Sequence, residues 1–88
     1  MMRILQRFEK AVETAQSKAF NATDKQALKL YGLLKQARLG DNTTTRPWSF
    51  QFQACAKWDA WEKEKGKSEL QAKSEYIGLV FKIGTSEN

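Results

Sequence analysis

The chain has 88 residues, with 15 Lys and Arg against 10 Asp and Glu, no His and one Cys, so it has room for one small core and none for a second. No intrachain disulfide can form, no Cys/His zinc site can be assembled, and the missing imidazole removes Ser-His and Cys-His catalysis. The surplus of five positive charges points to anionic partners without choosing among nucleic acid, membrane, protein and phosphorylated small molecule.

The opening MMRILQRFEK reaches its second basic residue too early for a signal peptide, and no apolar run approaches the ~20 residues that a membrane span needs. A soluble chain in a reducing, cytoplasmic compartment is expected, with Cys55 a buried thiol inside an apolar stretch.

The first periodic stretch begins near Arg3. There Ile4, Phe8, Ala11, Val12 and Ala15 recur at spacings of three and four along one helix face, and the pattern decays from Ser17 to Asn21. Thr23 and Gln26 have the spacing of a capping box, and Asp24 suits the positive end of a helix. A second helix follows from there, with Ala27, Leu28, Leu30, Tyr31, Leu33, Leu34 and Ala37 as a broad apolar stripe and Gly40 as its stop.

The segment from Gly40 to Ser49, GDNTTTRPWS, reads as a structured surface loop. Pro47 pushes Arg46 toward an extended conformation, and Trp48 and Phe50 would be wasted in a disordered tether, so the loop is expected to fold back on the domain. The alternation from Trp48 to Phe52 is too short to build a sheet. A third helix places Phe52, Cys55, Ala56, Asp59 and Lys63 in one line, with Trp58 and Trp61 beside it, and ends before Gly66. Ser68 and Gln71 repeat the capping-box spacing and open a fourth helix, whose apolar face is Leu70, Ala72, Tyr76, Ile77, Leu79, Val80 and Ile83. The reading is all-α: four helices of unequal length with one long loop between the second and third.

Five positions could carry chemistry. Tyr31 and Lys35, four residues apart, leave one face of the second helix, where they are either a core-boundary aromatic and a solvated charge or a ring and a cation for an anionic ligand. Lys57, between Ala56 and Trp58, either snorkels over indole or serves a ligand. Tyr76 lies within the apolar face of the last helix and Phe8 within that of the first, and packing accounts for both as they stand. Lys25, Lys29, Lys35 and Arg38 give the second helix a basic side. Asp41, Asp59, Glu62 and Glu64 read as exposed carboxylates interleaved with lysines. No motif pairs them, and there is no Gly-rich phosphate loop or metal-ligand cluster, so the chain reads as a non-enzyme.

Taken together, YGLLKQA from Tyr31 to Ala37, GD at Gly40 and Asp41, RP at Arg46 and Pro47, and AKWDAW from Ala56 to Trp61 resemble the acyl-CoA-binding protein family, also called the diazepam-binding inhibitor family, from about Phe8 to Ile83. The resemblance implies one acyl-CoA-binding domain over 1–88, a four-helix bundle with an up-down-down-up course. It also implies non-covalent binding, transport or buffering of medium- and long-chain fatty acyl-CoA thioesters, without catalysis and without a cofactor. The partners it implies are long-chain fatty acyl-CoA as ligand and acyl-CoA-using enzymes as recipients, with a monomer expected and no nucleic acid.

Carried over position by position, Tyr31, Lys35, Lys57 and Tyr76 would surround the adenosine 3'-phosphate and adenine, with Phe8 beside the nucleotide. The chain departs from the family pattern where Leu34 replaces a common tyrosine, where Asn21 and Ala22 replace Lys-Pro, and where Trp48 and Ser49 follow Arg46 and Pro47. The reading that competes with this one is a helical adaptor that binds an anionic protein or membrane surface through Lys25, Lys29 and Arg38.

Overall fold

The computed structural model describes residues 2–85. Four helices follow one another: α1 (Met2–Ala15), α2 (Asp24–Leu39), α3 (Phe52–Glu62) and α4 (Glu69–Gly84). Their course is the expected up-down-down-up one, in a flattened body of 37 × 33 × 16 Å. At that thickness no ligand can be enclosed. A site has to lie on a face.

Helix boundaries follow local chemistry. The Thr23 hydroxyl oxygen accepts from the Gln26 N–H at 3.1 Å, and the Gln26 side-chain oxygen accepts from the Thr23 N–H at 2.9 Å, which satisfies two otherwise orphaned donors. At the far end Gly40 takes φ 79° and donates to the Gln36 carbonyl, a backbone conformation that a Cβ would strain. The second capping box forms only by half. Ser68 Oγ accepts from the Gln71 N–H at 3.0 Å, but the Gln71 amide donates to the Glu75 carboxylate instead, a charge-assisted bond that outcompetes the reach back.

The core lies between α1, α2 and α4. Phe8, Ala11 and Val12 of α1 and Leu30, Leu33 and Ala37 of α2 form one cluster with Ala72, Tyr76, Val80 and Ile83 of α4, the helix that packs on both. Two stripe members are placed differently from expectation. Ala27 is exposed, and Leu70, in the first turn of α4, is 60 % exposed because it lies around the helix from Ala72. Helix α3 stands outside this cluster and packs on α2 through Cys55, Ala60 and Trp61.

The α2–α3 contact is a close backbone approach. A Cβ on Gly32 would sit 2.2 Å from the Ala60 carbonyl oxygen, so only glycine lets the two helices meet at this depth. Next to it lies Glu64, whose side chain is 2 % exposed, contrary to its sequence reading as a surface carboxylate. It accepts from Lys29 at 2.7 Å and from Lys67 at 2.7 Å, and Lys67 also reaches Glu75 at 2.6 Å. One buried charge thus ties α2 to the α3–α4 connection and, through Lys67, to α4. Burial works to raise the Glu64 pKa, but the hydrogen bonds from Lys29 and Lys67 outweigh it and hold the carboxyl below its usual range.

The same corner holds Gln36, which is buried and donates to Asp41 at 2.8 Å and to the Lys67 carbonyl at 2.9 Å. Asp41 also accepts from the Gly66 N–H. Trp61 Nε1 donates to the Gly40 carbonyl at 2.8 Å. The end of α2 and the turn into α4 are therefore joined by paired polar groups in addition to apolar contact.

Two outcomes follow from this packing. Gly32→Ala should destabilise the fold by about 3 kcal/mol, since the atom it meets is backbone and cannot swing away. Gly78→Ala, in the same type of helix interior but with no atom within 4 Å of the added carbon, should instead stabilise by about 1 kcal/mol. Urea unfolding of both variants checks the pair. Because the Glu64 pKa is depressed in the fold, its contribution is full above the ordinary value of 4.5 and is lost as pH falls toward the depressed value. Glu64→Gln should therefore lower stability at pH 7 by about 3 kcal/mol and flatten the decline of stability below pH 4.5, as read from thermal melts across the acid range.

Candidate functional site

Helix α2 presents Tyr31, Lys35 and Arg38 at steps of four and three, on one face. Because α3 lies so close across Gly32, Lys57 on α3 arrives over the same ring as Lys35. The Lys57 ammonium is 5.6 Å from the centre of the Tyr31 ring, and that of Lys35 is 5.7 Å from the same centre. Lys35 also stands 5.3 Å from the Trp61 ring. Among the described residues neither lysine has a carboxylate within ion-pair distance. Two unneutralised cations over one half-buried ring form an anion site with an aromatic floor.

Below this pair the surface turns apolar. A cleft of about 490 Å³ runs between α2 and α3, lined by Asp24, Ala27, Leu28, Tyr31, Gln53, Ala56 and Lys57. On the other side of Leu28 and Ala56 lies a second cleft of about 450 Å³, with Lys25, Lys29, Asp59, Ala60, Lys63 and Glu64. Charge and greasy surface are therefore adjacent, as an amphiphilic anion requires.

The long loop is tied to α3. Arg46 makes a two-pronged contact with the Asp59 carboxylate, both bonds at 2.9 Å, which holds the Asp59 pKa low and raises that of Arg46. Trp58 Nε1 donates to the carbonyl and hydroxyl oxygens of Thr44. Thr44 donates in turn to Asn42 Oδ1 through its N–H and its hydroxyl. Cys55, buried as expected, places its sulfur against the Pro47 and Trp48 carbonyls. The loop does fold back, but its aromatics do not go with it. Trp48, Phe50 and Phe52 are 74 %, 70 % and 79 % exposed, because the inward positions are already filled by Trp58, Cys55 and backbone hydrogen bonds.

The five site residues expected from sequence fall into two groups. Tyr31 and Lys57 line the cleft, and Lys35 stands over the Tyr31 ring. Phe8 and Tyr76 pair edge to face with ring centres 5.3 Å apart, one step along the same face, and both are buried. Burial pushes the Tyr76 hydroxyl up, with Arg38 pulling the other way. Over the Phe8 ring stand Arg38, at 5.7 Å, and Lys73, at 5.4 Å, which pair with Glu9 and Glu69. Three participants escaped the sequence reading of the site. Arg38 could have been found by helical arithmetic, being three residues beyond Lys35. Trp61 beneath Lys35 and Lys73 above Phe8 carry no local signal.

The basic side of α2 is largely spent within the molecule. Lys29 bonds Glu64, and Arg38 pairs with Glu9 at 3.1 Å. Of Lys25, Lys29 and Arg38, only Lys25 lacks a carboxylate partner among the described residues. That removes most of the charge an adaptor would present on this face. No helix among the described residues is long and apolar enough to cross a membrane.

Residues 5–80 match the family model described as acyl CoA binding protein. The chain is 42 % identical over 77 residues to an acyl-CoA-binding protein homolog of Drosophila melanogaster, covering 88 % of this chain and 90 % of that one. It is 43 % identical over 76 residues to an acyl-CoA-binding protein of Ricinus communis, covering 86 % and 84 % respectively. Among solved structures, it superposes on Oryza sativa acyl-CoA-binding protein 2 with a TM-score of 0.88 at 38 % identity, covering 93 % of this chain and 89 % of that one.

Proposed function

The chain belongs to the acyl-CoA-binding protein family, and on that premise we propose that it binds medium- and long-chain fatty acyl-CoA thioesters non-covalently and buffers or carries them. The observation that carries this reading is the Tyr31 ring flanked by the Lys35 and Lys57 ammoniums at the head of an apolar cleft. A coenzyme A thioester is a polyanion with a greasy tail. Phosphate contacts alone would leave the tail wet, while each methylene taken from water adds ~0.8 kcal/mol.

In this reading Lys35 and Lys57 take phosphate oxygens as flexible point charges, and the Tyr31 ring lies against the adenine. Arg38, next along this face of α2, is engaged by Glu9 at 3.1 Å, so Lys35 and Lys57 supply the free charge. Phe8 and its ring partner Tyr76 lie beside the nucleotide. The tail lies over Ala27, Leu28 and Ala56. Leu34, half-buried against the core, fills with aliphatic carbon the place where the family commonly has a tyrosine, so the ligand gains no hydroxyl there. The protein acts as a monomer that hands its ligand to acyl-CoA-using enzymes in the cytoplasm.

Calorimetric titration tests the assignment. Affinity should rise from acetyl- through octanoyl- to palmitoyl-CoA until the cleft is filled, and equal affinities would exclude an apolar groove. Lys57→Met should weaken palmitoyl-CoA binding by roughly tenfold or more, since it removes one partner of a charged hydrogen bond. Tyr31→Phe should cost less, about 1 kcal/mol, because the ring stays. Both losses should shrink against the 3'-dephospho ligand, which isolates the contact with that phosphate.

A further inference from the structure

We propose that the loop between α2 and α3 is a docking surface for an anionic phospholipid bilayer, with Trp48, Phe50 and Phe52 as the inserting side chains. Three large aromatics within five residues, each at least 70 % exposed, are uncommon on a small soluble domain whose core needs its apolar side chains. Phe50 and Phe52 lie at alternate positions after Trp48, around a turn closed by the Gln51 N–H bonded to the Trp48 carbonyl at 2.8 Å.

Their exposure is built in. The Arg46–Asp59 contact, the Trp58–Thr44 bonds and the Cys55 sulfur against the Pro47 and Trp48 carbonyls fix the backbone on both sides of the turn. The aromatics are held outward, so inserting them does not first require ordering the loop.

Charge decides the kind of surface. Between Asp41 and Asp59 the sequence has no carboxylate, and Asp59 itself is engaged by Arg46. Phe52 heads the α3 stripe that runs through Ala56 and Asp59 to Lys63, and Lys63 faces Lys25 across the second cleft. Neither of these two lysines has a carboxylate within ion-pair distance among the described residues; Asp24 is the acid nearest in sequence to Lys25. Aromatic insertion from a segment that has no carboxylate between Asp41 and Asp59 and carries Arg46 and Lys57 supplies the two weak signals whose combination holds a protein on an anionic membrane.

The docking is independent of the ligand reading and is tested without acyl-CoA. Co-sedimentation is measured with vesicles of phosphatidylcholine alone and with vesicles containing about one-quarter phosphatidylserine. The natural chain should partition at least about tenfold more strongly onto the anionic vesicles, and a W48A/F50A/F52A variant should lose about tenfold or more of that binding. These positions are outside the core and outside the cleft, so the variant should keep its thermal melt and its palmitoyl-CoA affinity. Vesicles carrying brominated lipid should quench the natural chain, and that quenching should fall in Trp48→Phe, because Trp58 and Trp61 are held within the fold. Equal vesicle binding by the natural chain and the triple variant would overturn the proposal. So would a natural-chain dimer in sedimentation velocity that the triple variant abolishes, since the aromatics would then be covering a second copy.

Discussion

Helices α2 and α3 meet where Gly32 faces the Ala60 carbonyl, and the arrangement of the surface above them depends on that depth of approach. With any side chain at 32 the helices would have to move apart, because its Cβ would lie 2.2 Å from the Ala60 carbonyl oxygen. Lys57 and Lys35 would then no longer share the Tyr31 ring, and Leu28 and Ala56 would no longer form one continuous apolar floor. The site is thus a product of backbone proximity, with its chemical groups carried along by two helices that run the same way.

Electrostatics then determines which cations remain available. The chain is basic overall, yet much of that charge is used to hold the fold. Glu64, buried at the α2–α3 seam, takes Lys29 and Lys67; Glu9 takes Arg38, Asp59 takes Arg46 and Glu69 takes Lys73. Lys35 and Lys57 lean on aromatic faces instead of carboxylates. A cation over a ring keeps its charge available to an incoming phosphate, whereas one in a short ion pair has to be released first.

The aromatic residues divide by the same logic. Trp58 and Trp61 each spend the indole N–H on loop backbone, fixing the connection between α2 and α3 while their rings cover the seam. Phe8 and Tyr76 fill the α1–α4 contact. Trp48, Phe50 and Phe52 belong to neither group: the loop that carries them is pinned through other residues, and the flattened body has no further interior to receive them.

The sequence by itself determined the helices, because capping residues and three-to-four periodicity act over a few residues. Thr23 with Gln26, Ser68 before α4 and Gly40 after α2 needed nothing from the rest of the chain. The motif residues Tyr31, Lys35 and Lys57 were legible for a related reason, since each belongs to a short pattern whose spacing survives as a pattern. Tertiary structure decided what each polar or aromatic side chain meets. Glu64 read as a surface carboxylate and is buried, Trp48 and Phe50 read as folded back and point outward, and Gln71 completes only half of its capping box. In each case the partner lies on another element or a charged group competes for the side chain: Lys29 comes from 35 residues away, the inward places in the loop are taken by Trp58 and Cys55, and the Glu75 carboxylate draws the Gln71 amide away from Ser68. Local sequence sets which conformations a segment favours, but burial and pairing are relations between segments, and these are fixed only when the helices come together at Gly32.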